Sequence, residues 1–460
     1  MRVCAFFPLY LPMILPNCKL FMMQHDRMKR SIPFANVLII ALLVLMGRGV
    51  SAQDIQSTPI SRLGYGTMQS RAPISWRGMG GVGVGMNDKR VINLQNPAGY
   101  GATDSLSFLI EVGASVNMAH YRFGEDKKNT FHGGIEYIAI QFPLYKDRLA
   151  FSAGIVPISN VGYGLTTEVN PDNGDNINQF IENYWGKGSL QSVYMGLGSR
   201  VWNNLYFGVN GRYHFGKISH TVHLIPSTSR LSQIYTEHSV RLKAWSVDFG
   251  MQYKFLLPNK RQDQILLGVT YSPKLPMTPE LNYFENRNFG SQTKPEVSEV
   301  KSQPKTSFPH QISAGLSWSI PEKMTVAVDY GLEMWKGCEN IFANDGVKMM
   351  DRHKVALGME LMPNFYSRNY FEKMSYRWGV NYGTSYLDIP QLGTLHTIGA
   401  SVGIGMPVNM TSSDRLSLIN LTLEYQKDIS PISKAFSQDV LKLSLGISFN
   451  ETWFRKLKIY

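Results

Sequence analysis

The clearest pattern in the chain is a strict alternation of apolar and polar residues near its C-terminus. In residues 441–449 every odd position is Leu, Ile or Phe, and every even position is Lys, Ser or Gly. The same period occurs in residues 419–425 and 311–318. Successive side chains of a strand point to opposite faces, so each segment predicts a strand with one apolar and one polar face.

Segments of this kind recur along the chain and run for about 10 residues, the length that a tilted strand needs to cross a bilayer. Their even number is typical of bacterial outer-membrane barrels. The pattern therefore predicts an all-β fold, a 14-stranded antiparallel transmembrane β-barrel over residues 106–450. The predicted strands are 106–118, 133–142, 148–158, 190–200, 204–216, 241–256, 264–272, 309–319, 324–335, 352–361, 375–386, 396–405, 414–426 and 438–450.

The predicted connections are alternately long and short, as expected for extracellular loops and periplasmic turns. Both chain ends would then lie in the periplasm, with a short basic tail at 451–460. The long loops are rich in Asn, Ser, Lys and Pro and are interpreted as solvated caps or partner surfaces. They comprise residues 159–189, 217–240 and 273–308.

Composition supports this class without proving it. The 460 residues include 41 Gly, aromatics make up 12% and charged residues only 17%. No stretch after residue 52 approaches 18 consecutive apolar residues, which argues against transmembrane helices. Several aromatics fall near predicted strand ends, where a barrel carries its interfacial girdle: Trp202, Tyr271, Trp318, Trp335 and Tyr425.

Charge and chemistry narrow the function classes. Residues 1–52 hold six Lys or Arg and one Asp, which leaves a dispersed net charge of +7 and no case for nucleic acid. Beyond residue 52 only Cys338 remains, so no intramolecular disulfide or cysteine metal site is expected. The chain lacks H-E-x-x-H and C-x-x-C, and we expect no enzyme, catalytic residue, metal or cofactor. A hydrolase built from side chains of separated strands stays open.

The N-terminus reads as a secretory signal that starts at Met28. Lys29 and Arg30 form a basic region, residues 37–46 form an apolar core, and small residues end at Ala52, after which cleavage is expected. An uncleaved N-terminal anchor is the alternative. Residues 1–27 are unusual for a signal and are interpreted as upstream sequence.

Residues 53–105 do not alternate and are predicted to form an N-terminal hatch, or plug. Three of their glycines fit G-x-G-x-x-G, but a dinucleotide site also needs a strand before the motif and a helix after it, and neither is indicated. We interpret the stretch as a compact segment whose glycines let its backbone fit into a confined space. The glycines concerned are Gly78, Gly80, Gly81, Gly83 and Gly85.

Asn96, Pro97 and Ala98 stand after these glycines and just before the first predicted strand. An NPA sequence in a hatch ahead of fourteen strands resembles the FadL family of outer-membrane transporters for hydrophobic compounds, which includes TodX-like proteins. The stretches 62–66 and 77–81 resemble Bacteroidetes-type members. The order of signal, Gly-rich segment, NPA and strands covers the whole chain after the signal.

The polar faces of the predicted strands would line the lumen, because a charge facing the bilayer midplane costs about 2–4 kcal/mol. These side chains are interpreted as pairs that brace hatch against wall, or alternatively as a polar path or a headgroup clamp for an amphipathic acid. They are Arg212, His214, Asp248, Lys254, Asp329, Glu333, Glu360, Arg377, Asn381 and Glu424.

In and just after the third predicted strand, four residues interrupt what would otherwise be a longer run: Gly154, Pro157, Gly162 and Gly164. Proline cannot donate to the ladder, so this strand is an edge or contains a bulge. In the FadL family the third strand is kinked inward to open the wall. The resemblance implies a lateral opening at about residues 154–164, and the alternative is a strand that ends at Pro157.

The expected function is passive, hatch-gated uptake of hydrophobic or amphipathic small molecules, such as fatty acids, across the outer membrane of a Gram-negative bacterium. Movement of residues 96–98 on ligand binding would open the path. The expected partners are outer-membrane lipid and the ligand, with no nucleic acid, and the protein is expected to be a monomer. The alternative is a non-transporting barrel in protein secretion or surface attachment, resembling the type IX secretion shuttle, with a protein bound at its long loops. An apolar lumen pocket would favour transport, whereas a polar lumen and a broad loop surface would favour a partner.

Overall fold

The wall of the molecule, seen in a computed structural model, is a closed sheet of fourteen antiparallel strands. Each strand pairs with its neighbours in the chain, and the last pairs with the first from Ser107–Thr452 to Phe123–Phe436. The predicted all-β barrel and its strand count are confirmed. The strands are β1 (Ser107–Phe123), β2 (Asp126–Tyr145), β3 (Leu149–Val169), β4 (Phe180–Arg200), β5 (Leu205–Pro226), β6 (Gln233–Leu256), β7 (Gln264–Ser272), β8 (His310–Ile320), β9 (Met324–Met334), β10 (Arg352–Leu361), β11 (Ser375–Ile389), β12 (Gly393–Val408), β13 (Ser417–Ile429) and β14 (Phe436–Thr452).

The structure describes residues 58–124, 126–169, 180–227, 231–288, 296–302, 305–341, 346–408, 416–433 and 436–452. The predicted signal peptide and cleavage site, the first five residues of the predicted hatch and residues 453–460 of the predicted tail lie outside them. Shorter elements are the helices Pro59–Arg62, Ile74–Arg77, Pro97–Ala102, Trp335–Gly337 and Tyr370–Lys373, and the strands Thr67–Met68, Leu275–Met277, Glu280–Asn288, Glu296–Ser302, Thr306–Phe308 and Lys348–Met349. Among these residues no helix has both the length and the apolar character to cross a membrane.

The wall has its apolar face outside and its polar face inside. On β10, Val355 and Leu357 are 40% and 49% exposed, whereas Glu360 on the opposite face is 9% exposed. On β14, Leu443 is exposed and Ser444 is buried. This inversion of a soluble protein places the apolar side chains where a bilayer would surround them and the polar ones in the lumen.

Several strands extend far beyond the predicted bounds at one end of the barrel. We call this end, opposite the one where β1 begins and β14 ends, the distal end. The predicted loop 159–189 is strand as far as Val169 and again from Phe180, and the predicted loop 217–240 is strand to Pro226 and from Gln233. The alternation of apolar and polar residues that predicted the strands fails there, while backbone pairing continues.

The predicted loop 273–308 also contains paired strands. Residues Glu280–Asn288 pair with β6 and with Glu296–Ser302. Together with the distal parts of β3 to β6 they form a sheet that rises above one side of the barrel, which we call the distal sheet. The prediction that these segments were loops was wrong.

Trp335 was predicted to join an interfacial girdle, and the structure places it in the lumen. It lies in the short helix after β9, is 2% exposed and packs against Tyr65 and Tyr386, with ring centroids 5.6 and 5.2 Å apart. Proximity to a strand end does not fix the face of a side chain once the chain leaves the strand.

Residues 58–105, called here the plug segment, lie inside the barrel. Ile74, Trp76 and Met79 are at most 1% exposed, and the segment contacts inward-facing residues of most strands. Above it, buried apolar side chains from the plug segment and the wall form one cluster, which we call the apolar cap. The apolar cap consists of Tyr65, Ile158, Val161, Tyr163, Leu190, Ile218, Val240, Leu242, Ala244, Met277, Phe308, Trp335, Cys338, Ile341, Met349, Tyr386, Leu387, Ile389, Leu395 and Phe436.

Candidate functional site

The NPA motif fixes the plug segment to the wall. The Asn96 side chain accepts a hydrogen bond from the Ala98 amide (3.1 Å) and donates one to the Val84 carbonyl (2.9 Å). Pro97 begins a short helix, where its missing N–H costs nothing. A Cβ atom on Gly198 of β4 would lie 2.5 Å from the Pro97 carbonyl oxygen, and Gly208 of β5 would overlap the same peptide. The motif therefore rests on a patch of wall that only glycine permits.

The glycines singled out in the plug segment meet glycines of the wall. A Cβ on Gly78 would lie 3.0 Å from Gly403 of β12, and one on Gly85 would lie 2.6 Å from Gly315 of β8. Gly80 has φ +74° and would place a Cβ 2.6 Å from the Val380 carbonyl oxygen. Two backbones approach here without side chains between them, which is the packing that glycine allows.

The other two glycines serve the fold of the segment itself. Gly81 has φ +84°, a left-handed conformation that other residues adopt only with strain. A Cβ on Gly83 would lie 2.9 Å from the Gln95 side chain. The wall glycines that face the plug segment were not predicted, because isolated glycines in a strand pattern carry no sign of what they contact.

An ionic cluster around Arg77 ties the short helix Ile74–Arg77 to the wall. The guanidinium group is 2% exposed, contacts the Glu136 carboxylate, forms an ion pair with Glu424 at 3.1 Å and donates a hydrogen bond to Ser444 (2.8 Å). Lys442 contacts the same Glu136 carboxylate. Glu136 is the extra residue of a bulge in β2, so its side chain turns inward out of register. Of this cluster only Glu424 was among the predicted lumen residues.

A second ion pair lies within the plug segment. Arg90 donates two hydrogen bonds to Asp88, at 3.0 and 2.8 Å. Burial opposes ionisation of this carboxyl, but the Arg90 charge and hydrogen bonds outweigh it and lower the pKa of Asp88. Both groups are therefore charged, and the segment needs no outside partner for them.

The predicted lumen residues face inward and mostly form pairs. Asp329 accepts backbone hydrogen bonds from Gly83 (2.6 Å) and Val84 (2.8 Å) and so holds the plug segment directly. The others brace neighbouring strands: Arg212 contacts Asp248, His214 bonds Ser246 (2.7 Å), Glu333 pairs with Arg352 (3.1 Å), Arg377 bonds Glu360 (2.8 Å) and Asn420 (2.7 Å), Asn381 lies under Gly399, and Lys254 lies 5.8 Å from the Tyr206 ring centroid.

Strand β3 leaves its neighbour β2 halfway along the wall. The two strands pair from Tyr145–Leu149 to Ile138–Ile155, and no further pair follows although both strands are fully described. Above that point the gap is crossed by a hydrogen bond from Lys128 Nζ to the Gly164 carbonyl (2.7 Å). The wall is therefore interrupted between β2 and β3 while β3 stays paired with β4 up to Val169.

The free edge of β3 is occupied by the plug segment. Residues Thr67 and Met68 pair with Asn160 and Ser159 as an added strand. A bulge at Ile158, next to Pro157, exposes a carbonyl that accepts the Gln69 amide (2.8 Å), and the Gly162 carbonyl accepts the Thr58 amide (2.8 Å). The proline ends β2–β3 pairing as its missing donor requires. Gly154 lies against β2, where a Cβ would be 2.5 Å from the Ile138 carbonyl oxygen.

A cavity of about 310 Å³ remains between the plug segment and the wall. Its lining includes charged side chains of both signs, among them Arg71, Glu333, Arg352 and Lys354. Within the described part of the chain, no group of three or more His, Cys, Asp or Glu side chains is placed to bind a metal. The space suits water and polar groups better than a hydrocarbon.

The BamG family profile matches residues 34–460. The chain belongs to the BamG family. No curated protein matches this BamG-family chain in sequence.

Solved structures share the fold. The CymD monoaromatic hydrocarbon channel is 14% identical with a TM-score of 0.53, and the match covers 84% of this BamG-family chain and 98% of that chain. A Pseudomonas aeruginosa FadL homologue is 12% identical (TM-score 0.55, 84% and 99% covered). The P. putida toluene transporter TodX is 14% identical (TM-score 0.52, 84% and 100% covered). The resemblance to the FadL family thus holds for the fold of the barrel.

Proposed function

We propose that this protein is a closed barrel of the Gram-negative outer membrane that acts through a protein partner, in secretion or surface attachment, and catalyses no reaction. The Bacteroidetes-type origin indicated by residues 62–66 and 77–81 is part of this proposal. The fold of the hydrocarbon channels supports the location, and the interior of this chain supports a function other than flux.

The observation that carries the proposal is the filled lumen. The plug segment is held by Asp329, by the Arg77 cluster and by interlocked glycines, and the apolar cap fills the distal lumen with side chains. The lining of the remaining cavity includes charged side chains of both signs, whose desolvation by a hydrocarbon would be costly. This cavity is not the apolar pocket that passive uptake of apolar molecules requires.

The distal sheet supports the same proposal. It adds six paired segments above one side of the barrel, with side chains such as Glu299 and Val300 exposed. A broad, rigid surface outside the membrane suits a protein partner better than a mobile loop does, since less conformational entropy is lost on binding.

Photo-cross-linking in intact cells tests the proposal. A photoreactive amino acid in place of Val300, 57% exposed on the distal sheet, is expected to give one adduct of defined mass. The same substitution at Ile398, 51% exposed on the lipid-facing wall, is the matched control and should give none. In parallel, cells that produce the protein should take up a labelled fatty acid or toluene no faster than cells without it. Several-fold faster uptake together with no adduct at position 300 would reject the proposal.

The gap between β2 and β3 favours a second candidate, the passive uptake of hydrophobic molecules. Ile158 and Val161 of the apolar cap lie directly at this gap, so an apolar route from the distal lumen to the lipid would need only side-chain and plug movement. Displacement of residues 96–98 would accompany it. Gly154, Pro157, Gly162 and Gly164 would then frame a lateral exit.

A disulfide across the edge of β3 separates the candidates. Thr67 and Asn160 are opposed in an antiparallel pair, within the Cα distance that a disulfide spans. If uptake uses the gap, uptake by cells with oxidised T67C/N160C should fall to background and recover on reduction. Uptake by cells with T67C alone should stay unchanged. Equal uptake by the oxidised and reduced forms would exclude this exit.

A further inference from the structure

Four tyrosines occupy equivalent outward positions at the distal border of the apolar wall. Tyr271, Tyr330, Tyr382 and Tyr425 lie on β7, β9, β11 and β13 and are 39–45% exposed. The residue two positions before each tyrosine on the same strand is an outward-facing Val or Leu. In register, each lies opposite an aliphatic side chain of the next strand: Ile312, Val355, Ile398 and Leu441.

Each tyrosine forms a hydrogen bond with the polar side chain that stands two positions before that aliphatic residue in the chain. Tyr271 bonds His310 Nδ1 at 3.1 Å, Tyr330 bonds His353 Nδ1 at 2.9 Å and Tyr382 bonds His396 Nδ1 at 2.7 Å. In all three the rings are inclined by 34° or less, with centroids 5.9–6.3 Å apart. The same diagonal geometry on three pairs of strands is a built repeat, which we call the Tyr–His belt.

The fourth position continues the belt with other residues. Tyr425 donates to Asp439 (2.5 Å), and Lys427 lies 3.7 Å from the same carboxylate. The Lys427 side chain is 44% exposed. A cation therefore stands at the level where the other positions carry imidazoles.

At His310 the hydrogen bonds fix which ring nitrogen carries the proton. His310 Nδ1 also receives the backbone amide of Lys274 (3.2 Å), and an amide can only donate. Nδ1 is therefore the acceptor, so the proton lies on Nε2. His353 and His396 share the tyrosine geometry, and Nε2 of each ring makes no hydrogen bond to the described residues.

We propose that the Tyr–His belt binds the phosphate groups of the phosphorylated glycolipid of the outer leaflet. Three Nε2–H groups and the Lys427 ammonium are held at one level, where the apolar wall ends and lipid headgroups begin. Phosphate oxygens accept hydrogen bonds from such donors. The belt lies towards the distal end of the barrel, away from the end where β1 begins and β14 ends. Because the chain ends are expected in the periplasm, this position selects the outer leaflet and its lipid. The inference rests on the outer-membrane location in the proposed function, but not on the secretion or attachment role proposed there.

Native mass spectrometry of the full chain in mixed micelles tests it. The probes are diphosphorylated lipid A, the same lipid without its phosphates, and phosphatidylglycerol. The wild type should retain the diphosphorylated lipid, and the variant H310L/H353L/H396L should bind it about tenfold more weakly, as expected for loss of one hydrogen bond to a charged group per site. Heat-modifiable gel mobility confirms that the variant is folded.

Two further variants distinguish binding from stability. H120L removes an exposed outward histidine of β1 that bonds Asn129 instead of a tyrosine, and it should leave lipid retention unchanged. Y271F/Y330F/Y382F keeps the imidazoles but frees their orientation, so retention should fall between wild type and the triple histidine variant. Equal retention by wild type and H310L/H353L/H396L, or equal retention of the dephosphorylated lipid, would overturn the proposal. Equally strong phosphatidylglycerol binding would show that the assigned lipid is wrong.

Discussion

Arg77 is a fully buried charge of the plug segment. It is buried between two carboxylates of the wall, and its helix has only four residues, so the helix itself contributes little stability. A buried charge that loses its partner must be neutralised or hydrated. The position of the plug segment therefore depends on this cluster.

Replacing Arg77 with Met is expected to lower the free energy of unfolding by about 3–5 kcal/mol, because Glu424 loses its cation and Glu136 keeps only Lys442. Denaturant titration followed by tryptophan fluorescence measures the change. Lys89, whose exposed side chain contacts Asp104, provides the matched control, and Lys89→Met should cost less than about 1 kcal/mol. Equal effects of the two substitutions would mean that the cluster does not hold the plug segment.

Gly208→Ala tests the glycine contact with the NPA motif. The added methyl group would overlap the Pro97 peptide, so residues 96–98 must move and the plug segment should become sensitive to protease. Gly211→Ala on the same strand is the control, since the nearest atom to its Cβ would be 4.0 Å away. Limited proteolysis with identification of the cleavage sites gives the answer. Identical cleavage of both variants would show that this packing is dispensable.

Among the elements, β3 shows best what the sequence could and could not predict. Pro157 and its neighbouring glycines indicated an interruption, and proline chemistry explains the end of pairing with β2. The continuation of β3 to Val169 and the added strand at Thr67–Met68 were not predicted. Strand addition requires only backbone groups, which leave no mark on the residues chosen.

The turn between β2 and β3 joins the wall to the end of the plug segment. The Asp147 carboxylate accepts the Ser105 amide at 2.6 Å, and this hydrogen bond lowers the pKa of Asp147. A lowered pKa stabilises the fold above the unfolded value of about 3.9, and the contribution disappears as the pH falls through the folded pKa.

Asp147→Asn should therefore reduce stability at neutral pH, and the difference from wild type should shrink as the pH falls below the unfolded pKa of about 3.9. Melting temperatures of both proteins between about pH 3 and pH 7 measure it. A difference that grows as the pH falls would contradict the assigned hydrogen bond.

At the scale of the whole molecule, the strand count and the sidedness of the wall were predictable because the bilayer imposes one rule on every strand. The lumen was not. The residues that fix the plug segment, such as Arg77, Glu136 and Lys442, lie up to 367 positions from their partners, as with Arg77 and Ser444. No local pattern relates such residues. The Tyr–His belt was not predictable for the same reason, since its members belong to different strands.

The interlocked glycines also determine the order in which the molecule can assemble. The plug segment is made before the wall, yet its contacts lie on strands as late as β12 and β14, and the sheet closes only when β14 meets β1. Contacts so distant in sequence form slowly, because a long loop must close before any of them forms. The contacts that hold residues 58–105 in place can therefore form only when the last strands arrive and the wall closes around the segment.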